Sequence, residues 1–485
     1  MKILLAVHNY PPEFRGGVER IVEMSAADLK SLGHEVTVVS GSAYFAPTAQ
    51  LVRETHEGVE VRRIVRESGF LNLADEFDPN SDALYEQVLD ECRPDIVHVH
   101  HWANLGAQSV ALAERRGIPA VATLHDYYAS CSLFFRVPAN EGFCDKAEGI
   151  DNCVPCIRRE HLIDVGELEH GVDARLATFA QELALARRIL FASPAQRRAF
   201  LDLPRAAPIA ESKTTVVPFG LPNLGAIASR RAADGRIVCA HWGNISKVKG
   251  LIALAEAAAR LDRPERLKLL ILGRVVEPGI DEEIRRKAGA VTVEFGGAFE
   301  ASELSRLLAE ADFAAFPSLA FETHSLVVDE ALALGLPVVV ADRGAPRDRI
   351  GEAGIVAKAG DADDLARALE AMLDPAERAR RSAAARAAQR RSSRDYAADS
   401  VRVYAEAIAA PGAAPGSISD HSRMRLAFRR RRLGEIHRYV LGLEGARADL
   451  ERAVAGDREA LERVRLRAPA TATSIEGLLK SRRDP

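Results

Sequence analysis

The sequence predicts an α/β protein of two doubly wound domains followed by a helical tail. Three observations carry this. Short apolar runs alternate with amphipathic segments of helix length. The runs are apolar at consecutive positions, as in strands of a parallel sheet covered on both faces. The alternation pauses once, near residues 221 to 235, and then resumes. The 485 residues suit two or three domains, at about 150 residues per domain.

The first series opens with the strand "KILLAV". The amphipathic "GVERIVEMSAADLKSLG" follows, a helix ended by Gly33, and then the strand "HEVTVVSG". Next come "DIVHVH", a helix around Ala107 to Arg116, "IPAVATLH", "RRILFAS" and "TTVVPFG". "LPNLGAIASRRAADG" is small, polar and rich in Ala and Gly, and reads as a linker. The second series runs "RIVCAHWG", a helix from Leu251, "LKLLILG", "VTVEFGG", "ADFAAFPS" and "LPVVVAD". The boundaries are then 1–222 for the first domain, with a cysteine-containing loop at 126–160, and 223–393 for the second. "RDYAADSVRVYAEAIAA" makes one more amphipathic helix, 394–410, and 411–485 is a flexible linker and basic helical extension.

Composition, 47% hydrophobic and 28% charged, is that of a globular chain. The net charge of −4 gives no overall polyanion-binding balance, so no nucleic-acid partner is expected. It conceals an asymmetry: residues 420–485 carry +6 and the remainder −10. No apolar run approaches the roughly 18 residues of a membrane span. "MKILLAVHNYPP" is too short in its apolar run for a signal peptide and reads as a buried first strand, so a cytoplasmic setting is expected.

The segment richest in chemistry is "FPSLAFETHSLVVDEALALGLPVVVAD". A strand ends in it and a helix closed by Gly335 begins. Glu322 in the loop and Glu330 in the helix can face one ligand from different heights, although two surface glutamates would meet the same spacing. The backbone N–H groups of Thr323, His324, Ser325 and Leu326 stand at the helix N-terminus, a natural place for phosphate oxygens. In the first domain, Gly16 and Gly17 of "NYPPEFRGGVER" separate strand from helix and allow close approach of an anion. The pattern is not GxGxxG, which weighs against a dinucleotide fingerprint.

"PPEFRGGVE", "HWGNISKVKG" and "ETHSLVVDEA" followed by "GLPVVV" stand in the order and spacing of glycosyltransferase family 4, which the chain resembles along residues 1 to 410. The resemblance implies the GT-B fold, two Rossmann-like domains facing a cleft with the last helix crossing back. It also implies retaining transfer of a sugar from a nucleotide-diphosphate donor to a saccharide or lipid-linked acceptor, as in polysaccharide or glycoconjugate assembly. By position, Glu330 would accept from the ribose hydroxyls, Glu322 and His125 would sit by the donor sugar, Lys249 would steady the diphosphate, and Gly16 and Gly17 would face phosphate. Many family members carry an arginine where this chain has Asn244, and an amide cannot supply that charge; Lys247 is the nearby substitute.

The chemistry suits those roles. Cleaving a sugar–phosphate bond builds negative charge on the diphosphate, which a lysine and oriented N–H groups stabilise. No convincing acidic triplet for a metal stands out, and "DADD" at 361–364 reads as the first turn of a helix, so metal-independent transfer is expected. Two rival readings remain: a non-catalytic nucleotide-sugar-binding scaffold, and a GT-B epimerase or phosphorylase. His98 and His100 share one face of a strand and read as structural or cleft-lining, since no third metal ligand lies nearby.

Four of the six cysteines, Cys131, Cys144, Cys153 and Cys156, follow the His125–Asp126 pair within 31 residues. Only Cys153 and Cys156 have the C-x2-C spacing that chelates one ion readily. A structural zinc on four thiolates comes first among the readings, then an iron–sulfur cluster on the same ligands, then free thiols or a redox pair. A subset of the resembled family also shows a cysteine cluster here. In the tail, a heptad-like register runs Leu433, Ile436, Val440, Leu443, Arg447, Leu450, Val454, Asp457, Leu461, Val464. The basic "SRMRLAFRRRRL" precedes it. Residues 420–485 therefore suit peripheral contact with an anionic inner membrane face, or oligomerisation.

Overall fold

The computed structural model describes residues 1–67, 78–138, 143–160, 165–203, 209–222, 224, 227, 232, 234–388, 390–413, 418, 447–455, 457–467 and 476. The chain divides into two compact units, Met1–Ser419 and Asp420–Pro485.

The first sheet contains β1 (Lys2–Val7), β2 (Glu35–Ala46), β3 (Gln50–His56), β4 (Val59–Glu67), β5 (Ile96–Val99), β6 (Ala120–Leu124), β7 (Arg188–Phe191) and β8 (Thr214–Val216). Their order is β3-β4-β2-β1-β5-β6-β7-β8, parallel except for the β3–β4 pair. The helices are α1 (Gly17–Ser31), α2 (Pro79–Cys92), α3 (Ser109–Glu114), α4 (Ile150–Glu160), α5 (Val165–Leu185) and α6 (Pro194–Leu201). Burial on both faces explains the unbroken apolar runs: Leu4 and Ala6 of β1 enter one core layer, Ile3, Leu5 and Val7 the other.

The second sheet contains β9 (Ile237–Trp242), β10 (Leu267–Leu272), β11 (Thr292–Gly297), β12 (Phe313–Phe316), β13 (Val338–Ala341) and β14 (Gly354–Ala357). The order is β11-β10-β9-β12-β13-β14, all parallel. Its helices are α7 (Leu251–Ala259), α8 (Ile280–Ala288), α9 (Leu304–Leu307), α10 (Leu326–Ala333), α11 (Ala345–Arg349), α12 (Ala362–Leu373) and α13 (Pro375–Ala387). Asp361 caps α12, its carboxylate accepting from the N–H groups of Asp363 and Asp364, so the "DADD" segment is a helix start.

α14 (Ser393–Ala409) returns to the first domain. Its Tyr396, Ala397, Val403, Tyr404 and Ala407 complete the core layer that β1 and α1 begin. Burying one apolar side chain such as Val403 stabilises by about 1.5–3 kcal/mol. The outgoing and returning chains run side by side, with Leu221 N donating to Arg391 O and Ser393 N to Leu221 O, each at 3.0 Å. Gly220 permits this, since a Cβ there would lie 1.9 Å from Ser392 O.

Three parts of the fold differ from the sequence expectation. The β3–β4 hairpin has no apolar strand signature, because "QLVRETHEGVEVRRIVRE" is charge-rich, as an exposed edge strand is. Its turn uses Glu57 and Gly58, both at positive φ. The cysteine segment is not loop throughout, since α4 carries Cys153 and Cys156 one turn apart. In the tail, Leu433 to Leu443 and the basic 422–433 stretch lie outside the described residues. The described part is not one continuous stripe but two short helices, α15 (residues 447–454) and α16 (Arg458–Arg467). Asp457 breaks the register by capping α16, with Leu461 N and Ala460 N donating to its backbone and side chain at 3.0 Å each. Ala453, Ala460, Leu461 and Val464 are buried together, while Leu450 and Val454 face outward. No described helix is long and apolar enough to cross a membrane.

Candidate active site

Each sheet reverses its strand order once, between β1 and β5 and between β9 and β12. Open α/β sheets bind ligands beyond the carboxyl ends of strands at such points. The two reversals meet across one cleft of about 230 Å³, lined among others by Gly17, His125, Asn244, Lys249, Glu322 and the segment Thr323–Leu326. Most of the residues singled out in the sequence are thus brought together.

The second domain supplies the charge. Lys249 Nζ donates to Glu322 Oε1 at 2.8 Å. Burial alone would raise the Glu322 carboxyl, but Lys249 outweighs it and holds the group below its ordinary range. Glu322 is held in place by its own backbone: Ala345 N donates to Glu322 O at 2.8 Å. Gly344, at φ 81, makes room, because a Cβ there would meet that oxygen at 2.2 Å. Ser325, the N-cap residue just before α10, stands at φ 69, and no side chain caps the helix's first turn. Its N-terminal N–H groups and the helix dipole therefore face the cleft with no competing side-chain oxygen.

The first domain supplies neutral imidazoles. His125 follows β6, stacks on Phe219 with centroids 5.0 Å apart, and pairs through Nε2 with His100 Nδ1 at 2.9 Å. His100 packs on His98, whose nitrogens reach Tyr404 Oη and Thr123 Oγ1 at 2.7 Å each. Burial first, and then the neighbouring imidazoles, hold His125 and His100 well below the usual histidine value. Burial puts His98 at about 3. All three are uncharged near neutrality. The next residue, Asp126, contacts His101 at 3.3 Å and accepts from Tyr128 N at 2.8 Å, tying the histidine segment to the start of the cysteine segment. The domains also join directly: Thr323 Oγ1 donates to His125 O at 2.6 Å and Ser193 Oγ to Thr323 O at 2.8 Å.

Three expected residues stand apart from the cleft wall. Gly16 is not among its lining residues; a Cβ there would press on Glu19, 2.7 Å away. Glu330 is 1% exposed. Its carboxylate accepts from Arg20 of α1 and, at 2.7 Å, from Trp242 Nε1. Lys247, the nearby substitute for the charge missing at Asn244, is exposed and is not in the wall either.

Sequence reasoning passed over His241, Trp242, Ser318, Phe219 and Arg20. His241 gives Nδ1 to Ala315 O at 2.8 Å, while its buried Nε2 has no hydrogen-bond partner and its ring lines the cleft. Burial lowers it to about 4. A signal was present for two of them, since His241 and Ser318 are polar residues at strand carboxyl ends, where sites form. Nothing local marks Arg20, which is one more charge on an amphipathic helix.

The four cysteines Cys131, Cys144, Cys153 and Cys156 converge elsewhere, on a separate cavity of the first domain. Among the described residues, no group of three or more His, Cys, Asp or Glu is placed to hold a metal ion.

Comparison with known proteins agrees with the cleft. A family model described as Glycosyltransferase Family 4 matches residues 15–222, and one described as Glycosyl transferases group 1 matches residues 236–375. Glycogen synthase of Mycobacterium tuberculosis is 25% identical over 430 residues, 82% of this chain and 91% of that one. The GDP-mannose-dependent alpha-mannosyltransferase of the same organism is 26% identical over 353 residues, 72% of this chain and 81% of that one. Among solved structures, Anabaena HepE in complex with UDP and glucose superposes with a TM-score of 0.59 at 18% identity, covering 84% of this chain and 99% of that one. Sucrose-phosphate synthase from Thermosynechococcus elongatus does so with a TM-score of 0.57 at 18% identity, covering 85% and 100%. Family models and relatives agree on the class of enzyme and the solved structures on the fold: the chain is a GT-B glycosyltransferase.

Proposed function

We propose that this cleft binds a nucleotide-diphosphate sugar and transfers the sugar, with retention, to an acceptor hydroxyl in polysaccharide or glycoconjugate assembly, without a metal ion in the chemistry. The observation that carries the reading is the convergence of Lys249, the uncapped start of α10 and Glu322 opposite a neutral His125. As the bond to phosphate breaks, the diphosphate gains negative charge; Lys249 and the α10 N–H groups meet it without reorganising. Glu322, ionised beside Lys249, would face the positive charge that develops on the sugar. His125, held neutral, hydrogen-bonds the sugar without adding a charge. The contacts across the cleft through Thr323 hold the domains closed, which excludes the water that would otherwise intercept the sugar.

Glu330 would take the ribose hydroxyls only after Arg20 moves aside, so nucleotide entry and loosening of the α1–α10 contact would be one event. Relatives support the donor class: one mannosyltransferase is named as GDP-mannose-dependent, and HepE was solved with UDP-glucose. They support the acceptor class as well, being named for glycogen and for phosphatidyl-myo-inositol.

A thermal-shift screen of UDP-, GDP- and ADP-sugars tests the donor; ligand at a hundred times its Kd stabilises by about 2.7 kcal/mol. Transfer is then followed by release of nucleoside diphosphate with an acceptor present. Release abolished in Glu322→Ala supports transfer. Binding without turnover across a broad acceptor panel would instead favour a scaffold, and turnover that needs no acceptor an epimerase.

A further inference from the structure

The geometry points to an iron–sulfur cluster held by Cys131, Cys144, Cys153 and Cys156, a centre separate from the sugar-transfer cleft. The four thiols come from three pieces of chain: the end of the Tyr128–Ser130 turn, the loop at Cys144, and α4. All four line one cavity of about 50 Å³. One water needs about 10–15 Å³ by this measure, so the space is several-fold larger than a single ion requires.

The two metal chemistries ask different arrangements of the four thiols. One zinc at about 2.3 Å from each sulfur draws four sulfurs to about 3.8 Å from one another. No three candidate ligands among the described residues are gathered for a single ion. A cluster distributes its four thiolates over two or four irons, with sulfides between, and so holds its ligands around a volume instead of a point.

The walls suit such a group. Leu133, Ile157 and Val172 make them largely apolar. Two nearly buried guanidiniums stand in them, Arg136 at 3% exposure and Arg175 at 4%. Arg136 spans the segment, donating to Cys144 O at 2.8 Å, Lys146 O at 2.6 Å and Ser130 O and Oγ at 3.3 Å, with Glu148 at 3.8 Å. Arg175 donates to Tyr128 O and lies over the Tyr128 ring, yet its Nη1 is buried with no hydrogen-bond partner. A buried, unpaired guanidinium N–H is costly, and a thiolate-ligated cluster, whose net charge is negative, would offset that cost. Leu133 N already donates to Cys131 Sγ at 3.4 Å, the kind of N–H···S bond that orients a cluster ligand.

The cluster's work is positioning. The segment it would fix carries Phe135, 5.9 Å from Lys249 Nζ, and Phe143, 5.4 Å from Phe321 beside Glu322. With Asp126 and Tyr128 at its root, it sets how His125 meets the second domain.

The test is elemental and spectroscopic, on full-length protein purified anaerobically and reconstituted with ferrous iron and sulfide. Iron and acid-labile sulfide in equal amounts, broad visible absorbance, and an EPR signal on one-electron reduction or oxidation are expected. Cys153→Ser should lose the absorbance and Cys92→Ser keep it. Because Cys153→Ser could misfold, the wild-type analysis stands alone: colourless protein with one zinc per chain, or metal-free protein after reconstitution, overturns the assignment. Removing the cluster from wild type should also lower Tm; an unchanged Tm would overturn the positioning role.

Discussion

The two halves of the cleft solve different problems. The second domain faces it with formal charge, Lys249 and Glu322, and with a helix start left uncapped. The first faces it with His125, backed by His100 and His98, all held uncharged by burial. Formal charge thus comes from the second domain, Lys249 for the leaving diphosphate and Glu322 for the sugar, while the first domain adds none. A cationic histidine beside an incipient sugar cation would oppose the reaction, and burying three imidazoles in contact prevents it.

The sharpest way to break this contrast is Lys249→Ala. Removing the cation should lower kcat by about 10²–10³-fold and weaken binding of the nucleoside diphosphate. Near wild-type turnover would move the phosphate charge to another residue. His125→Ala should cost about tenfold in kcat, the worth of roughly one hydrogen bond, with nucleoside-diphosphate affinity unchanged. If calorimetry shows that affinity falling as well, the division between the two rims is wrong.

Acid should expose the buried imidazoles. His98 at about 3 and His241 at about 4 lie below the ordinary 6.5, so the folded state excludes protons that the unfolded chain binds. Their stabilisation is complete above about pH 6.5 and is lost as pH falls towards the folded values, by up to about 1.4 kcal/mol per pH unit for each histidine. Denaturant unfolding at pH 7 and pH 5 measures it, and a flat profile would contradict the buried neutral cluster.

Arg20→Gln tests the contact between the rims. If ribose competes with Arg20 for Glu330, the variant should bind nucleotide several-fold tighter, and Glu330→Gln should bind it more weakly. Equal affinities in all three proteins would leave Glu330 a structural residue. The smallest effect belongs to the tail. All the cleft residues lie within Met1–Ser419. Deleting residues 420–485 should therefore change kcat by less than about twofold, while binding to anionic vesicles is lost if the basic stretch anchors the enzyme.

The Glu322–Glu330 element shows both what sequence discloses and where it stops. Its strand, loop and helix were legible because burial periodicity is local. That the two carboxylates would part company was not. Glu322 turns to the cleft, held at its backbone through Gly344, while Glu330 is taken by Arg20, 310 residues away in the chain. The tail taught the converse, since one capping aspartate, Asp457, outweighed an apparent heptad register.

By itself, the sequence determined the strand–helix alternation, the two-domain division in outline, the lysine and glutamates of the second domain, and four cysteines gathered after His125. These depend on residue type and spacing, which act over a few turns of chain. Only the tertiary structure decided which groups share a cleft, that the histidines are paired and neutral, that Arg20 covers Glu330, and that the four thiols surround a cavity. Those properties arise from burial and from distances between remote segments, and spacing along one chain does not contain them.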